Sequence, residues 1–345
     1  MIRKNKRRFS AAALVLLLVP VAGAGFFAPY DPITQNRDTP LAPPTPIHFV
    51  DQHGRFHVRP FVCRWLADDP GGVDTREDCS QTSPIRLFVR NERPVEGQTL
   101  NPSLRLFGTD PQERIFLLGT DGYGRDQFSR LLYGGQISLG AGLLATGLSL
   151  GLGILAGCVA GYFGSWVDDT IMRAAEIFMA LPWIYLLLAV RAFLPLNLDS
   201  RQAFLLLIGV IGVAGWARPS RLIRGVVLSG KQRGYVLAAR GFGVSTASIM
   251  RRHILPQVSS VALTQVALLV PQYILAEVTF SFLGLGMGEP RPSWGNMLAG
   301  LQNYYILTAH WWMLASGLAL LPIFLLFYSF ADSLQRNFPD LDLAR

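Results

Sequence analysis

The sequence predicts an all-α membrane protein with six transmembrane helices, on the grounds of its composition and its hydropathy pattern. Of the 345 residues, 50% are hydrophobic and 16% are charged. The apolar residues are grouped in segments of roughly 20, the length of helix that crosses a hydrocarbon core about 30 Å thick. Runs of this length fit helices better than barrel strands, which alternate over about ten residues. The six predicted spans are Phe9–Ala28, Ile137–Gly161, Thr170–Leu194, Ala203–Leu222, Val258–Leu283 and Trp311–Ala331.

The distribution of charge predicts the orientation of these spans. A net charge of +8 would suit a nucleic-acid partner, but in a membrane chain the placement of the basic residues matters more than their sum. Basic residues precede the first span, and others lie between the fourth and fifth spans with no Asp or Glu among them. Six crossings place both groups on one side, which the positive-inside rule makes cytoplasmic, together with both termini. We expect no nucleic-acid partner.

Residues 1–28 combine a basic N-terminus with the first apolar span. The same combination is typical of a cleaved signal peptide, and the small residues of "VAGAG" would suit a cleavage site. The apolar stretch from Ala11 to Ala28 is longer than the apolar region of such peptides. We therefore expect a retained helix, and cleavage would leave the orientation of the other spans unchanged.

Residues 29–135 form a predicted extracytoplasmic segment that is too long for a simple loop. Two extended runs surround a turn in Pro46–Val62, and a third lies in Ser83–Pro94, so we expect a small irregular or β-rich domain. Cys63 and Cys79 lie on this oxidising side, which favours a disulfide over two free thiols. The chain-entropy estimate gives such a crosslink about 3 kcal/mol of stability.

Polar residues of the same segment resemble metal sites only superficially. His48, His53 and His57 lie in the predicted hairpin with no cysteine nearby, whereas zinc needs three or four converging ligands. Asp121 and Asp126 lack the twelve-residue loop of a calcium site. We expect surface histidines and no metal, with a tight turn at the aspartates followed by an interfacial helix on the outer membrane surface.

Residues 136–345 are predicted to form a five-helix core. The second span carries a stripe of glycines, which lets another helix approach closely, within the bundle or in a second subunit. Ionisable residues in the spans are few. Glu277 is the most deeply placed of them in the sequence, and we consider it a candidate for gating or packing.

The chain carries no motif that predicts an enzyme. Hydrolase, zinc-protease and nucleotide-binding fingerprints are missing from the sequence. The stretch "GVVLSGKQ", Gly225–Gln232, has the glycine and lysine spacing of a phosphate-binding loop, but Gln232 stands where magnesium needs Ser or Thr. A strand should also precede such a loop, whereas a membrane helix precedes this one. We expect no catalytic residue in this chain.

Residues 223–257 form the longest predicted cytoplasmic loop. Small residues at positions 238, 239, 241 and 243 predict a short helix with a flat face. Ser245 and Thr246 can cap a second helix. Such a surface suits insertion into a groove on another protein. Pro256 then stands near the start of the fifth span, where a missing backbone donor is tolerated.

The 223–257 loop resembles the cytoplasmic signature of the inner-membrane permeases of ATP-binding-cassette importers, which reads Glu-Ala-Ala, three residues, Gly, and a spacer to Leu-Pro. The matching residues are Leu237, Ala238, Ala239, Gly243, Leu255 and Pro256. "LGTDGYGRDQFSRLLYG", "GYFGSWVDD", "SFLGLG", "PSWGNML" and "RHILP" are similar to the C-type subunit of the dipeptide and oligopeptide branch. Leu237 replaces the family's Glu, and the outer segment Pro29–Gln112 is longer than usual.

The resemblance implies a six-helix permease of the type I importer kind in a bacterial inner membrane, with no cofactor. The implied partners are a homologous second permease, two cytoplasmic ATPases, an extracytoplasmic binding protein and membrane lipid. Peptide is the expected cargo, and nickel chelates, opines or oligosaccharides remain the alternatives. The residues implied to form the ATPase-coupling loop are Tyr235, Leu237, Ala238, Ala239, Arg240, Gly241, Gly243, Arg252, His253, Leu255 and Pro256.

A secondary transporter and a membrane anchor or signalling subunit are the competing classes. A secondary transporter binds ions or substrate at broken helices with polar groups near the midplane, and the sequence shows few such groups. An anchor needs no groove-binding loop. The arginines of the 223–257 loop either face acidic or polar groove residues and lipid phosphates, or simply fix the topology.

Overall fold

The computed structural model describes residues 2–51, 54–67, 75–90, 104–109, 114–193 and 199–335. The chain divides into two compact units. Unit 1 comprises Met1–Leu14, Leu139–Glu277 and Pro322–Arg345, and unit 2 comprises Val15–Ser138 and Val278–Leu321.

Helices account for most of the described residues. They are α1 (Ile2–Ala22), α2 (Ala24–Phe27), α3 (Gln127–Phe163), α4 (Ser165–Ala180), α5 (Trp183–Phe193), α6 (Ser200–Ala214), α7 (Ala217–Lys231), α8 (Gly234–Gly241), α9 (Thr246–Ile249), α10 (Leu255–Phe282), α11 (Trp294–Ala299), α12 (Tyr304–Ala309) and α13 (Ala315–Gln335). A π-helical turn, Met250–Ile254, joins α9 to α10, and 3-10 turns cover Gly300–Gln302 and Trp311–Leu314. The strands are β1 (His48–Val50), β2 (Phe56–Ala67), β3 (Thr75–Pro84), β4 (Arg86–Arg90) and β5 (Leu104–Gly108).

Four helical stretches of the described chain are long and apolar enough to cross a membrane, and a bent pair gives a fifth. The four are Gln127–Phe163, Ser200–Lys231, Thr246–Phe282 and Trp311–Gln335. Within the predicted first span the helix is interrupted at Gly23, which separates α1 from the short α2, so neither helix meets the criteria for a span by itself. The structure therefore supports a multi-pass helical membrane protein, while the predicted count of six exceeds the spans that meet these criteria.

The predicted third span is broken. Ser165–Ala180 and Trp183–Val190 meet at an angle of 82°. Leu181 between them is extended, with ψ of 124°, because the ring of Pro182 disfavours helical backbone in the residue before it. The apolar run in the sequence did not distinguish this bend from a straight helix.

In unit 1, glycines of α3 form a close contact with α7. Side-chain atoms at three helically spaced glycines would collide with it: a Cβ at Gly157, for example, would lie 2.5 Å from the backbone oxygen of Ser220. On another part of α3, a Cβ at Gly140, Gly147 or Gly151 would meet nothing within 4 Å. The other two contact glycines are Gly153 and Gly161. Part of the predicted glycine stripe therefore packs within the chain.

Unit 2 contains the strands, so the chain is not purely α-helical. β1 and β2 form the antiparallel hairpin expected from the sequence, β3 pairs with the other edge of β2, and β4 pairs with β5. Cys63 opposes Thr82 while the next residue, Arg64, opposes Asp78, so β3 bulges at residues 79–81. The bulge turns Cys79 toward Cys63, and the two form a disulfide with Cα atoms 4.6 Å apart.

The start of α3 differs from the predicted interfacial helix. Residues 127–163 form one continuous helix, so the turn at Asp121 leads directly into the span. Arg125 and Arg130, which an interfacial helix would hold on its polar face, are 3% and 1% exposed. Ion pairs with carboxylates in unit 2 allow this burial, which an amphipathic pattern does not reveal.

Candidate functional site

The 223–257 loop is a helical hairpin built on the ends of two long helices. It comprises the last turns of α7, then α8, a turn, α9 and the π-helical turn that leads into α10. The stretch Gly225–Gln232 forms the end of α7 and its C-cap, so its glycines and lysine do not make a phosphate-binding loop. The structure thus brings the resemblance-derived residues into one local element.

One side of the hairpin is a hydrophobic base. Val236 of α8 and Ile249 of α9 are 3% and 1% exposed, and they pack in a cluster with residues of α7 and α10. The other fully buried members are Ile223, Val227, Ile254 and Val258. Burying each of these side chains is worth about 1.5–3 kcal/mol, so the base holds the hairpin firmly on the two helices.

Polar contacts add to this base. The Tyr162 hydroxyl of α3 donates to Thr246 Oγ1 over 3.1 Å, and Lys231 Nζ donates to the Gly161 carbonyl over 2.9 Å. Gln257 Nε2 donates to the Tyr235 hydroxyl over 2.6 Å. These bonds connect the loop to the end of α3 and the start of α10.

The turn between α8 and α9 explains why glycine stands at position 243. Gly243 has φ of +77°, a left-handed conformation that side chains disfavour. Its N–H donates to the Arg240 carbonyl, and the Val244 N–H donates to the Ala239 carbonyl, both over 3.1 Å. This is the Schellman pattern that ends a helix and satisfies its last carbonyls. The glycine therefore fixes the direction in which the chain leaves α8.

The opposite side of the hairpin is an exposed and largely apolar face. Phe242 is 88% exposed and Leu237 is 55% exposed, although both are large hydrophobic residues. We call Tyr235, Leu237, Phe242 and Val244 the docking face; all four are exposed. Such a patch on a rigid base is typical of a protein interaction site.

The remaining residues derived from the resemblance are spread around this face. Ala239 and His253 are half-buried, and the His253 ring lies 5.6 Å from the Tyr235 ring. The exposed ones are Ala238, Arg240, Gly241, Gly243, Arg252, Leu255 and Pro256. The loop residues thus form one exposed surface with a few anchoring members.

In unit 1, an ion pair joins the first residues of the 223–257 loop to α4. Asp168 of α4 accepts two hydrogen bonds from the Arg224 guanidinium of α7 in a bidentate arrangement. This geometry is the strongest that Arg and a carboxylate adopt, and it fixes α4 against α7. The sequence placed Arg224 among the basic loop residues without indicating this partner.

Glu277 is fully buried in α10, with 0% of its surface exposed. A buried carboxylate at this position is compatible with the packing or gating role expected from the sequence.

In unit 2, His48 lies beside the disulfide. His48 Nε2 lies 2.8 Å from Glu77 Oε1, and the ligand atoms of these two residues and of Cys63 and Cys79 all lie within 4.8 Å of one another. The expectation that the histidines have no cysteine nearby is therefore wrong for His48, because strand pairing brings them together. With its sulfurs bonded to each other the group offers two ligands, fewer than zinc requires.

The other two histidines do not join this group. His57 Nε2 lies 3.1 Å from Asp51 Oδ2 on an exposed part of the hairpin. His53 lies outside the described residues.

A charge cluster in unit 2, in which two buried arginines share the exposed Glu289, was not expected from the sequence. Arg125 Nε donates to Asp121 Oδ2 over 2.7 Å, and the same guanidinium binds Glu289. Arg130 Nη2 donates to Glu289 Oε1 over 3.1 Å. The four-residue spacing of Asp121 and Arg125 was a possible signal, whereas Glu289 is more than 150 residues away in sequence.

Asp126, next to this cluster, caps α3. Its Oδ2 accepts the Ser129 N–H over 2.8 Å, the contact of an N-cap residue. Burial raises the pKa of its carboxyl to about 6, because desolvation disfavours the charged form.

The long apolar helices define the class of protein: a multi-pass helical membrane protein, which also carries an exposed apolar patch on the 223–257 loop. Residues 153–338 match the family of the binding-protein-dependent transport system inner membrane component. The chain belongs to this family. It is therefore a multi-pass inner-membrane component of such a transport system, and the family works with further permease, ATPase and binding-protein subunits.

Similar proteins include three peptide permeases. The dipeptide transport system permease protein DppC of Bacillus subtilis (strain 168) is 39% identical over 197 residues, 57% of this chain and 59% of that protein. DppC of Alkalihalophilus pseudofirmus is 34% identical over 235 residues, 68% of this chain and 74% of that protein. The oligopeptide transport system permease protein OppC of Bacillus subtilis is 35% identical over 187 residues, 54% of this chain and 59% of that protein.

Proposed function

We propose that this chain is a permease subunit of an ATP-driven importer that carries di- or oligopeptides across the bacterial inner membrane. The docking face, exposed and apolar on a buried base, is the observation that carries the proposal. A helix presented in this way suits a groove on a cytoplasmic ATPase. The peptide cargo is inferred from the names of the dipeptide and oligopeptide permeases that the chain resembles.

The proposed topology has six crossings with both termini in the cytoplasm. In it, α1 and α2 together form the first crossing, and residues 29–135 form an extracytoplasmic insertion. Residues 136–345 form the permease core, and the 223–257 loop lies in the cytoplasm. The run of basic residues without acids between the fourth and fifth spans supports this orientation.

In the proposed mechanism, a homologous second permease completes the translocation path, and two ATPases each hold one coupling helix. A binding protein delivers the peptide from outside. Closure of the ATPases on ATP moves α8, and the hydrophobic base transmits the movement to α7 and α10. The hydrolysis of ATP takes place in the partner subunits, so this chain supplies the path and the mechanical link.

Leu237 distinguishes the proposed ATPase contact of this chain from the contact that the family signature implies. It stands where the family signature has Glu, and its apolar side chain is 55% exposed beside Phe242. Contact with the ATPase at this position is therefore apolar, and the arginines around it supply the charge. Arg240 and Arg252 are both exposed and available for such contacts.

A secondary transporter is not favoured by the broken span. The family match covers the helices on both sides of the break at Leu181, and these belong to a binding-protein-dependent transport component.

The test is a single charge placed on the docking face. Phe242→Asp should abolish co-purification of the ATPase subunits and peptide uptake driven by ATP, because a carboxylate cannot be buried in an apolar groove without a partner. Membrane insertion and the melting temperature of the detergent-solubilised chain should not change, since Phe242 is exposed.

Gln232→Asp is the matched control, because it adds the same charge at an exposed loop position outside the docking face. Normal ATPase binding by the Phe242→Asp importer would contradict the proposed docking role. Failure of the wild-type assembly to import any peptide with ATP would contradict the proposed function itself.

A further inference from the structure

Unit 1 contains a cleft beside the broken span. It has a volume of about 190 Å³, is partly open to solvent, and lies between the break that separates α4 from α5, the junction of α6 with α7, and α10. Most of its wall is apolar, with Phe178, Leu181 and Trp183 on the side of the broken span. Its polar residues include Arg218, Gln272 and Tyr273.

The wall of the cleft is held in place by specific contacts. The Tyr273 hydroxyl donates to Ser149 Oγ over 2.8 Å, and both residues are buried. A Cβ at Gly215 would lie 2.0 Å from the Tyr273 hydroxyl oxygen, so glycine is needed at the α6–α7 junction. The Phe178 and Trp216 rings pack edge to face, with centroids 5.7 Å apart. The shape of the cleft is therefore fixed by contacts among the helices that surround it.

Arg218 gives the cleft a positive charge. Its side chain is exposed, and among the described residues no carboxylate forms a salt bridge with it. Arg224, six residues further along α7, is paired with Asp168. A guanidinium on a mostly apolar wall of a membrane protein requires an anion or water, because its charge is costly in apolar surroundings.

We propose that this cleft is a subsite for the C-terminal carboxylate of the transported peptide. Arg218 binds the carboxylate through its planar fork, which matches the two oxygens. The exposed Gln272 amide hydrogen-bonds the last peptide group, and the apolar wall receives the adjacent side chain. Charge complementarity and the mixed lining select this occupant over a wholly apolar molecule. The inference rests on the proposed import of peptides and adds a point of recognition within the permease.

The experiment uses the assembled importer in membrane vesicles and two photo-crosslinking probes. Both are tripeptides that end in benzoyl-phenylalanine, one with a free carboxylate and one with a C-terminal amide. In the wild-type importer the acid probe should label the walls of the cleft about tenfold more than the amide probe, as expected for loss of one charge-assisted pair. This comparison needs no variant.

Variants of Arg218 then test whether this residue causes the preference for the acid probe. Arg218→Gln should reduce labelling by the acid probe about tenfold and leave labelling by the amide probe unchanged. Arg218→Lys should retain part of the preference, because a point charge replaces the fork. Arg221→Gln is the matched control, because Arg221 lies one turn along α7 and does not line the cleft.

Equal labelling of the wild type by the two probes would overturn the proposal. It would also fail if Arg218→Gln weakened both probes equally, the result expected if Arg218 binds the second permease. Suppression of both probes by anionic phospholipid would assign the site to lipid headgroups instead. ATP-driven uptake is measured in the same vesicles, so a wild type that discriminates between the probes but imports nothing would refute the importer function and retain the carboxylate site.

Discussion

The turn before α3 and the turn after α8 both contain a glycine and arginines, but the surroundings of these residues differ. Gly124 and Gly243 both have positive φ, at +68° and +77°. A Cβ at Gly124 would lie 1.8 Å from the Asn36 backbone oxygen, whereas a Cβ at Gly243 would meet nothing within 4 Å. The first glycine is required by both space and conformation, and the second by conformation alone.

The arginines of the two turns differ in the same way. Arg125 and Arg130 are buried and paired with carboxylates, whereas Arg240 is exposed on α8. Buried and paired charges fix a structure, because removal of one partner leaves the other charge unsatisfied. Exposed charge beside apolar surface remains available to a partner. The turn before α3 is thus a structural element, and the turn after α8 is suited to docking.

The largest effect is expected at Gly124. Gly124→Ala should destabilise the chain by more than about 4 kcal/mol, because the new methyl group collides with backbone at Asn36 in an already strained conformation. Thermal unfolding of the detergent-solubilised chain measures this. Gly122→Ala is the control, since a Cβ there meets nothing within 4 Å. Equal melting temperatures for the two variants would show that the turn before α3 is not closely packed.

The second prediction concerns the buried carboxyl of Asp126. The raised pKa means that the folded chain binds the proton more tightly than the unfolded chain. Its contribution to stability is therefore greatest below pH 4 and declines as the pH rises to about 6, by about 3 kcal/mol.

Asp126→Asn, which retains an acceptor for the α3 cap, should remove this dependence. The stability of the wild type minus that of the variant should therefore fall between pH 4 and 6 and be constant above. Chemical unfolding at a series of pH values tests it, and a flat difference would mean that the Asp126 carboxyl titrates normally.

The smallest effect on stability is expected at Gly243. Gly243→Ala should cost about 1 kcal/mol, because only the left-handed backbone opposes it. The altered exit from α8 should nevertheless weaken ATPase binding and slow uptake. Gly241→Ala provides the control inside α8, where φ is not positive and a Cβ meets nothing. A Gly243→Ala importer with normal ATPase binding would show that the turn has no part in docking.

The helical spans and the loop signature could be read from the sequence because both depend on local pattern. Apolar runs predicted the spans around α3, α6–α7, α10 and α13. The spacing from Leu237 to Pro256 indicated the family, and the small residues at 238, 239, 241 and 243 lie on α8 and the following turn. Local pattern missed the break at Pro182, because the apolar run continues through it.

The sequence by itself determined that the chain crosses membranes as helices and carries a loop of the permease type, because hydropathy and short-range spacing act over one or two turns of helix. Tertiary structure alone decided which charges are paired. Glu289 binds Arg125 and Arg130 across more than 150 residues, and Asp168 binds Arg224 across 56. It also decided that Arg218 lines a cleft and that His48 lies beside the disulfide. Such contacts depend on the packing of distant segments, which leaves no periodic signal in the chain.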